Sequence, residues 1–217
     1  ELIGISLSYA ENISFYIPVG HKNIKSLNKD FVVKKLKPIL EDPSIKKVGQ
    51  NIKYDFIILK KYGVELNSVE DTMLLSYTLD AGNNRHNMDT LSELHLNHKT
   101  ISYKDLVGSG KKQLKFSEVD IDKATEYAAE DADVTLRLYE ILSERVSDEK
   151  LNQIYEAFEK PMIKILSKIE TYGVKVDDNY LKELSKKFEK RLEKIAYNLK
   201  VTSASSAAYS VALSIST

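Results

Sequence analysis

The chain has 217 residues, in which 32 Lys and Arg balance 32 Asp and Glu, with four His and no Cys. Zero net charge means that nucleic-acid contact is not announced by bulk electrostatics and would need a local basic groove, or metals that recruit phosphate. Without Cys there are no disulfides, thiolate zinc sites or thiol nucleophiles; four His leave little room for a His-rich metal centre, and no apolar run approaches the roughly 18 residues of a membrane span.

Leu2–Ser8 and Ile13–Val19 read as strands, and Glu11-Asn12 between them suits a hairpin turn. Residues 31–41 carry Val32, Leu36, Ile39 and Leu40 on one helical face, with Pro38 marking a new turn. Ile45–Val48 reads as a short strand closed by Gly49, and a helix from about Ile52 to Lys61 follows, with Asn51 near its N-cap. Residues 72–79 form an apolar helix and 80–88 a polar loop. Asp89 caps a helix that starts at Thr90. Gly108-Ser-Gly-Lys-Lys112 is a basic loop, and one long helix covers about 122–145. Strands first and helices afterwards indicate an α/β or α+β three-layer domain.

A boundary falls near Glu149-Lys150. Helices follow over about 151–172, with a kink expected at Pro161, and 178–199, capped by Asp177. Residues 201–217 contain no charge, against a Lys/Glu-dense segment just before, and read as an altered or disordered Ser/Ala tail. The organisation expected is therefore a domain over 1–149, helices over 150–200 and a tail over 201–217.

Two places carry chemistry. In Tyr127-Ala-Ala-Glu-Asp131 the phenol and the carboxylate are four residues apart and share a helix face, with small alanines between them. A carboxylate can hold a divalent metal and a nearby phenol can orient water; the plainer alternative is a solvated helix face. In Val48-Gly-Gln-Asn-Ile-Lys-Tyr-Asp55 a strand ends, Gly49 allows a close turn, and Asp55 falls in the first helical turn, where the macrodipole favours its ionised form. Two unpaired carboxylates at about 4 Å repel by roughly 4 kcal/mol at an effective dielectric of 20, a repulsion that a dication relieves. Glu130 and Asp133 are expected to face water. Arg85 and His86 are either ligand contacts or local loop contacts.

Gly49-Gln-Asn-Ile-Lys-Tyr-Asp55, Asp71-Thr-Met73, Arg85-His-Asn-Met-Asp89, His98-Lys-Thr-Ile101 and Tyr127-Ala-Ala-Glu-Asp-Ala-Asp-Val-Thr135 stand in this order. Together they resemble the proofreading 3′–5′ exonuclease domain of bacterial family-A DNA polymerase I, the Klenow type. Glu159-Lys-Pro-Met162 and Gly173-Val-Lys-Val-Asp177 look like the entry into the polymerase domain. The resemblance implies a ribonuclease-H-like three-layer α/β fold with a mixed sheet, followed by helices leading towards the polymerase. It implies removal of 3′-terminal nucleotides from single-stranded DNA ends with two divalent cations (Mg²⁺ or Mn²⁺, Zn²⁺ being compatible), in replication and repair. By the same resemblance Asp55 and Asp131 are metal ligands and Tyr127 positions the attacking water. Gln50, Asn51, Arg85 and Tyr103 fall where the family contacts the 3′ end, Tyr103 replacing the more usual Phe; its ring can still stack on a base.

The family's Asp-x-Glu motif, the source of two further metal-binding acids, is absent from residues 1–20. The segment is accordingly expected to be inactive or severely impaired as it stands, with a non-catalytic scaffold or weak single-strand binder as the alternative. An RNA-processing nuclease with the same Tyr/Asp motif fits less well, because the match extends through residues 151–177. The implied setting is the cytoplasm, at the nucleoid, beside the remainder of the polymerase and away from membranes; Glu1 in place of Met leaves targeting open.

Overall fold

Apolar residues alternating with Ser suit a strand with one covered face. Strand β1 (Gly4–Ala10) pairs antiparallel with β2 (Ile13–Pro18), Ile5 opposite Ile17 and Leu7 opposite Phe15. Asn12 makes the turn with φ of 60°, a left-handed conformation that Asn tolerates well. The computed structural model describes residues 2–110 and 113–214. Lys111 and Lys112, assigned above to a basic loop, lie outside them.

Helix α1 (Lys29–Glu41) is capped by Asn28, whose side chain accepts the Phe31 N–H, and it runs through Pro38 without starting a new element. Val32, Val33 and Leu40 turn into the core. Strand β3 (Lys47–Gly49) leads to α2 (Lys53–Lys60). Its parallel partner is β4 (Val69–Asp71), a strand not anticipated from the sequence. Two of its three residues are acidic, yet all three are buried, so no apolar alternation advertises it. Helices α3 (Thr72–Asp80), α4 (Met88–Leu96) and α5 (Tyr103–Val107) follow, then a 3₁₀ turn at Phe116–Glu118.

Helix α6 (Ile121–Asp148) is the spine of this part. Asp120 caps it by accepting the Asp122 and Lys123 N–H groups, an arrangement worth about 1 kcal/mol. Ala124, Ala128, Val134, Leu138, Leu142 and Val146 are buried along its length. It packs against β1, β2 and β3 as well as α3 and α4. Parallel and antiparallel pairing are both present, as a mixed α/β sheet requires, but in two separate two-stranded sheets that share α6.

Past α6 the chain forms α7 (Asn152–Ile154), a π turn at Tyr155–Glu159 and α8 (Lys160–Tyr172). Pro161 has no N–H for the carbonyl four residues earlier, and the widened π turn directly before it accommodates that loss. Tyr155 and Ile163 are buried in the same cores as β4, α3 and α6 residues. The first compact unit accordingly ends at Tyr172, beyond the compositional boundary at 149.

The second unit begins at Gly173. Asp177 accepts the N–H groups of Asn179 and Tyr180, capping α9 (Asp178–Ser214) as expected. This helix continues past position 200, where the composition changes. Among the described residues no helix is long and apolar enough to cross a membrane.

Candidate functional site

Tyr127 and Asp131 are neighbours on α6 as their spacing predicts, close enough for each to shift the ionisation of the other. Asp131 is only partly exposed. Burial, followed by the neighbouring charges of Glu130 and Asp89, pushes its pKa up to about 7, while the Tyr127 hydroxyl pulls it down. Burial and the Asp131 charge also raise Tyr127 well above the ordinary phenol value. The phenol therefore stays neutral at working pH.

Tyr127 is the inner member of an aromatic group. Tyr103, the first residue of α5, lies 6.0 Å from it between ring centroids, and Phe116 lies 6.1 Å away. Tyr103 and Phe116 are near-parallel at 6.4 Å, and Tyr103 is 47% exposed. Behind them Phe116 meets His21, which is bonded to the Tyr16 hydroxyl at 2.7 Å. Phe116 had no role in the sequence reading; the 3₁₀ turn that presents it has no periodic signal.

Glu130 and Asp133, expected in water, are both engaged. Glu130 holds the chain before α5: it bonds His98 Nε2 at 2.8 Å and accepts the Ile101 N–H at 2.7 Å. Asp133 is buried, accepts the Asn12 N–H at 2.5 Å and faces Arg137, which also reaches Glu11. Asp133 thus fastens the β1–β2 turn to α6. Apart from Arg137, four residues on along the helix, the partners come from remote segments, so helical spacing alone could not reveal them. Asp89 caps no helix either: α4 starts one residue earlier, at Met88, and Asp89 accepts the Thr100 hydroxyl at 2.7 Å.

Asp55 lies in the first turn of α2, as expected. Its side chain keeps exposed surface, yet enough protein surrounds it that desolvation, with Asp71 adding repulsion, pushes its pKa up to about 6. In the turn before Asp55, Asn51 adjoins the N-cap, as expected. Asn51 adopts φ of 56°, and the cap position itself is Ile52, without a side-chain bond. Asp71 of β4 substitutes for the missing cap. Its carboxylate accepts the N–H groups of Asn51 (3.0 Å), Ile52 (2.9 Å) and Met73 (2.9 Å), tying the ends of β3 and β4 together. Behind it, the buried Tyr155 hydroxyl accepts the Asp71 N–H and donates to Glu70, which is also paired with Lys160 at 2.8 Å.

Gln50 bridges Thr72 and the His86 backbone carbonyl. Arg85 is exposed in the loop before α4, and the adjacent His86 is a local loop contact, its ring against Ser76 and Tyr77.

The site residues thus form two carboxylate groups, Asp55 with Asp71 and Asp131 with Glu130 and Asp89. The strand leading to the first packs on the helix carrying the second. Among the described residues no three His, Asp or Glu side chains gather closely enough to share one metal ion.

The family model described as 3′–5′ exonuclease matches residues 1–147. This chain belongs to the 3′–5′ exonuclease domain family of DNA polymerase I. DNA polymerase I of Rhizobium leguminosarum is 44% identical over 205 residues, covering 85% of this chain and 20% of the relative. DNA polymerase I of Pseudomonas aeruginosa is 40% identical over 210 residues, covering 92% and 23%. The exonuclease-family chain thus spans about a fifth of the length of such relatives. Two solved structures share the fold. The POL domain of Pol1 from M. smegmatis, in complex with DNA primer–template and dNTP, has a TM-score of 0.65 at 19% identity, over 88% of this chain and 29% of that one. Brucella melitensis NrnC has a TM-score of 0.59 at 22% identity, over 78% and 76%. The architecture is the ribonuclease-H-like α/β fold.

Proposed function

We propose that these residues form a metal-dependent 3′–5′ DNA exonuclease site, acting on the single-stranded 3′ end as part of a DNA polymerase I in the cytoplasm. The observation that carries this reading is the Tyr127–Asp131 pair, a neutral phenol beside a carboxylate whose pKa burial raises to about 7. Asp55 and Asp131 are hard oxygen donors, and a nearby dication would relieve the cost of their ionised forms. The donor set therefore fits Mg²⁺ or Mn²⁺. When bound, two such ions would lower the pKa of a water and neutralise the leaving oxygen. The residues do the rest: Tyr127 orients the water, Tyr103 stacks on the terminal base, and Asn51 and Arg85 border the strand.

Among the described residues no three acids gather closely enough to share one ion, which favours a second reading, in which the chain by itself binds single strands but cleaves them slowly. A 3′-labelled single strand incubated with the 217-residue chain and Mg²⁺ or Mn²⁺ separates the two. The nuclease reading expects release of 3′ nucleotides that Asp131→Ala abolishes. Release unaffected by Asp131→Ala would overturn the site assignment; binding without release in either protein would support the second reading.

A further inference from the structure

We propose that Phe116 is a positioning residue, one that holds the Tyr103 ring in the orientation needed for stacking on a terminal base without touching the strand itself. The inference rests on the base-stacking part of the reading above and adds a residue to it. Tyr103 is the first residue of α5, a helix of five residues. So short a helix does not hold itself, and the direction of its side chains comes from tertiary contact.

Phe116 supplies that contact by joining two pairs of rings. One pair is Tyr103, near-parallel at 6.4 Å, and Tyr127, inclined by 62° at 6.1 Å. The other is Tyr16, edge-on at 6.3 Å, and His21 at 5.6 Å. The second pair is fixed. The Tyr16 hydroxyl and His21 Nε2 lie 2.7 Å apart, and His21 is buried. The His21 N–H donates to Ser26 Oγ at 3.1 Å, and that hydroxyl lies 3.2 Å from the His21 carbonyl.

The backbone around Phe116 is strapped down as well. The Lys22 N–H donates to the Ser117 carbonyl at 2.9 Å, and the Asn23 side-chain amide donates to the Glu118 carbonyl at 3.0 Å. Lys22 also pairs with the Glu118 carboxylate at 2.6 Å. The Leu114 N–H donates to the carbonyl of Val107, the last residue of α5, at 2.9 Å. Phe116 is half-buried, and its ring is engaged with protein rings. It therefore passes the rigidity of the 21–26 segment to Tyr103. A ring held in place before a base arrives loses less freedom on binding, and this preorganisation appears as affinity.

The test uses the full 217-residue chain and single strands carrying 2-aminopurine, an adenine analogue whose fluorescence falls on stacking, with EDTA to prevent cleavage. Tyr103→Ala is expected to weaken binding about tenfold and to relieve quenching of 2-aminopurine at the 3′ terminus, with no change for the same probe near the 5′ end. Phe116→Ala and Phe116→Leu should reproduce that pattern at about three- to tenfold in affinity. In the Tyr103→Ala background they should add nothing. Multiplicative losses would overturn the proposal in favour of a direct contact between Phe116 and the strand. Parent behaviour of both Phe116 variants beside a clear Tyr103→Ala effect would overturn the proposal alone. Parent behaviour of Tyr103→Ala would overturn the stacking reading, and the proposal with it.

A readout without DNA accompanies this. Nitration of Tyr103 by tetranitromethane, followed by peptide mass mapping, should accelerate several-fold in both Phe116 variants, while exposed Tyr172 reacts at the parent's rate. Unchanged nitration of Tyr103 would overturn the positioning role whatever the binding data show. Acceleration at Tyr155, buried in a different core, would do the same by making Phe116 a general stability residue.

Discussion

Tyr127 and Asp131 reach one another along a single helix, whereas Asp55 depends on a carboxylate from a different strand. On α6 the register of the helix brings phenol to acid, and the capping residue and buried leucines that hold the helix lie on that same element. At the β3–α2 turn Asn51 is left-handed, Ile52 has no side-chain cap, and the loose N–H groups are gathered by Asp71. The first half of the site is specified locally and should tolerate loss of its functional groups. The second is specified through tertiary contact and should fail when the remote acceptor is removed.

The sharpest way to break this contrast is Asp71→Ala. Three backbone N–H groups would lose their acceptor in a buried turn, and each unsatisfied group costs about 1–3 kcal/mol. Relief of the buried charge offsets part of that, so the expected loss is roughly 2–4 kcal/mol, measured by urea unfolding at pH 7. A loss below about 1 kcal/mol would mean that the turn holds itself. Tyr155→Phe probes the layer behind. It strips the acceptor of the buried Asp71 N–H and a donor to Glu70, with an expected cost of about 1–3 kcal/mol in the same measurement.

The contrast also governs what could be read in advance. Tyr127, Asp131, the hairpin and the long helix were legible because their signals are periodic or nearest-neighbour. Asp55 was legible as a first-turn acid, but the means of holding it was not. Asp71 sits in a three-residue strand with no apolar alternation, and its partners are fixed only when β3 and β4 align in parallel. Glu130 and Asp133 were misplaced into water for the same reason. Each is polar, each satisfies a remote backbone N–H, and only folding reveals that donor.

Asp131→Asn carries the comparison onto α6 with the opposite sign. The folded-state pKa of about 7 lies above the usual 3.8, so the folded protein binds this proton more tightly than the unfolded chain. Stability must then fall as pH rises from about 4 to 7 and level off above, with no penalty below the unfolded value. Asn cannot ionise and keeps the size of the side chain beside Tyr127. In metal-free buffer the variant should gain about 1–2 kcal/mol at pH 8, a figure reduced for partial exposure, and nothing at pH 3.5. Equal melting temperatures for variant and parent at pH 8 would show that the carboxylate is not strained.

Tyr127→Phe should have the smallest effect on stability and is the most diagnostic of a locally built pair. The ring contacts with Tyr103 and Phe116 survive, so packing is preserved. Only the hydroxyl beside Asp131 is lost, and that hydroxyl holds the Asp131 pKa down. Without it the folded-state pKa rises further above its unfolded value, so the extra penalty must appear at pH 8 and vanish at pH 3.5, where the carboxyl is protonated in both states. The expected cost is at most about 1 kcal/mol at pH 8, read as a difference in melting temperature between the two pH values. A pH-independent loss would instead place the hydroxyl in the general packing of α6. Asp131→Asn/Tyr127→Phe closes the cycle: with no charge left at position 131, the pH-dependent part of the tyrosine effect should disappear.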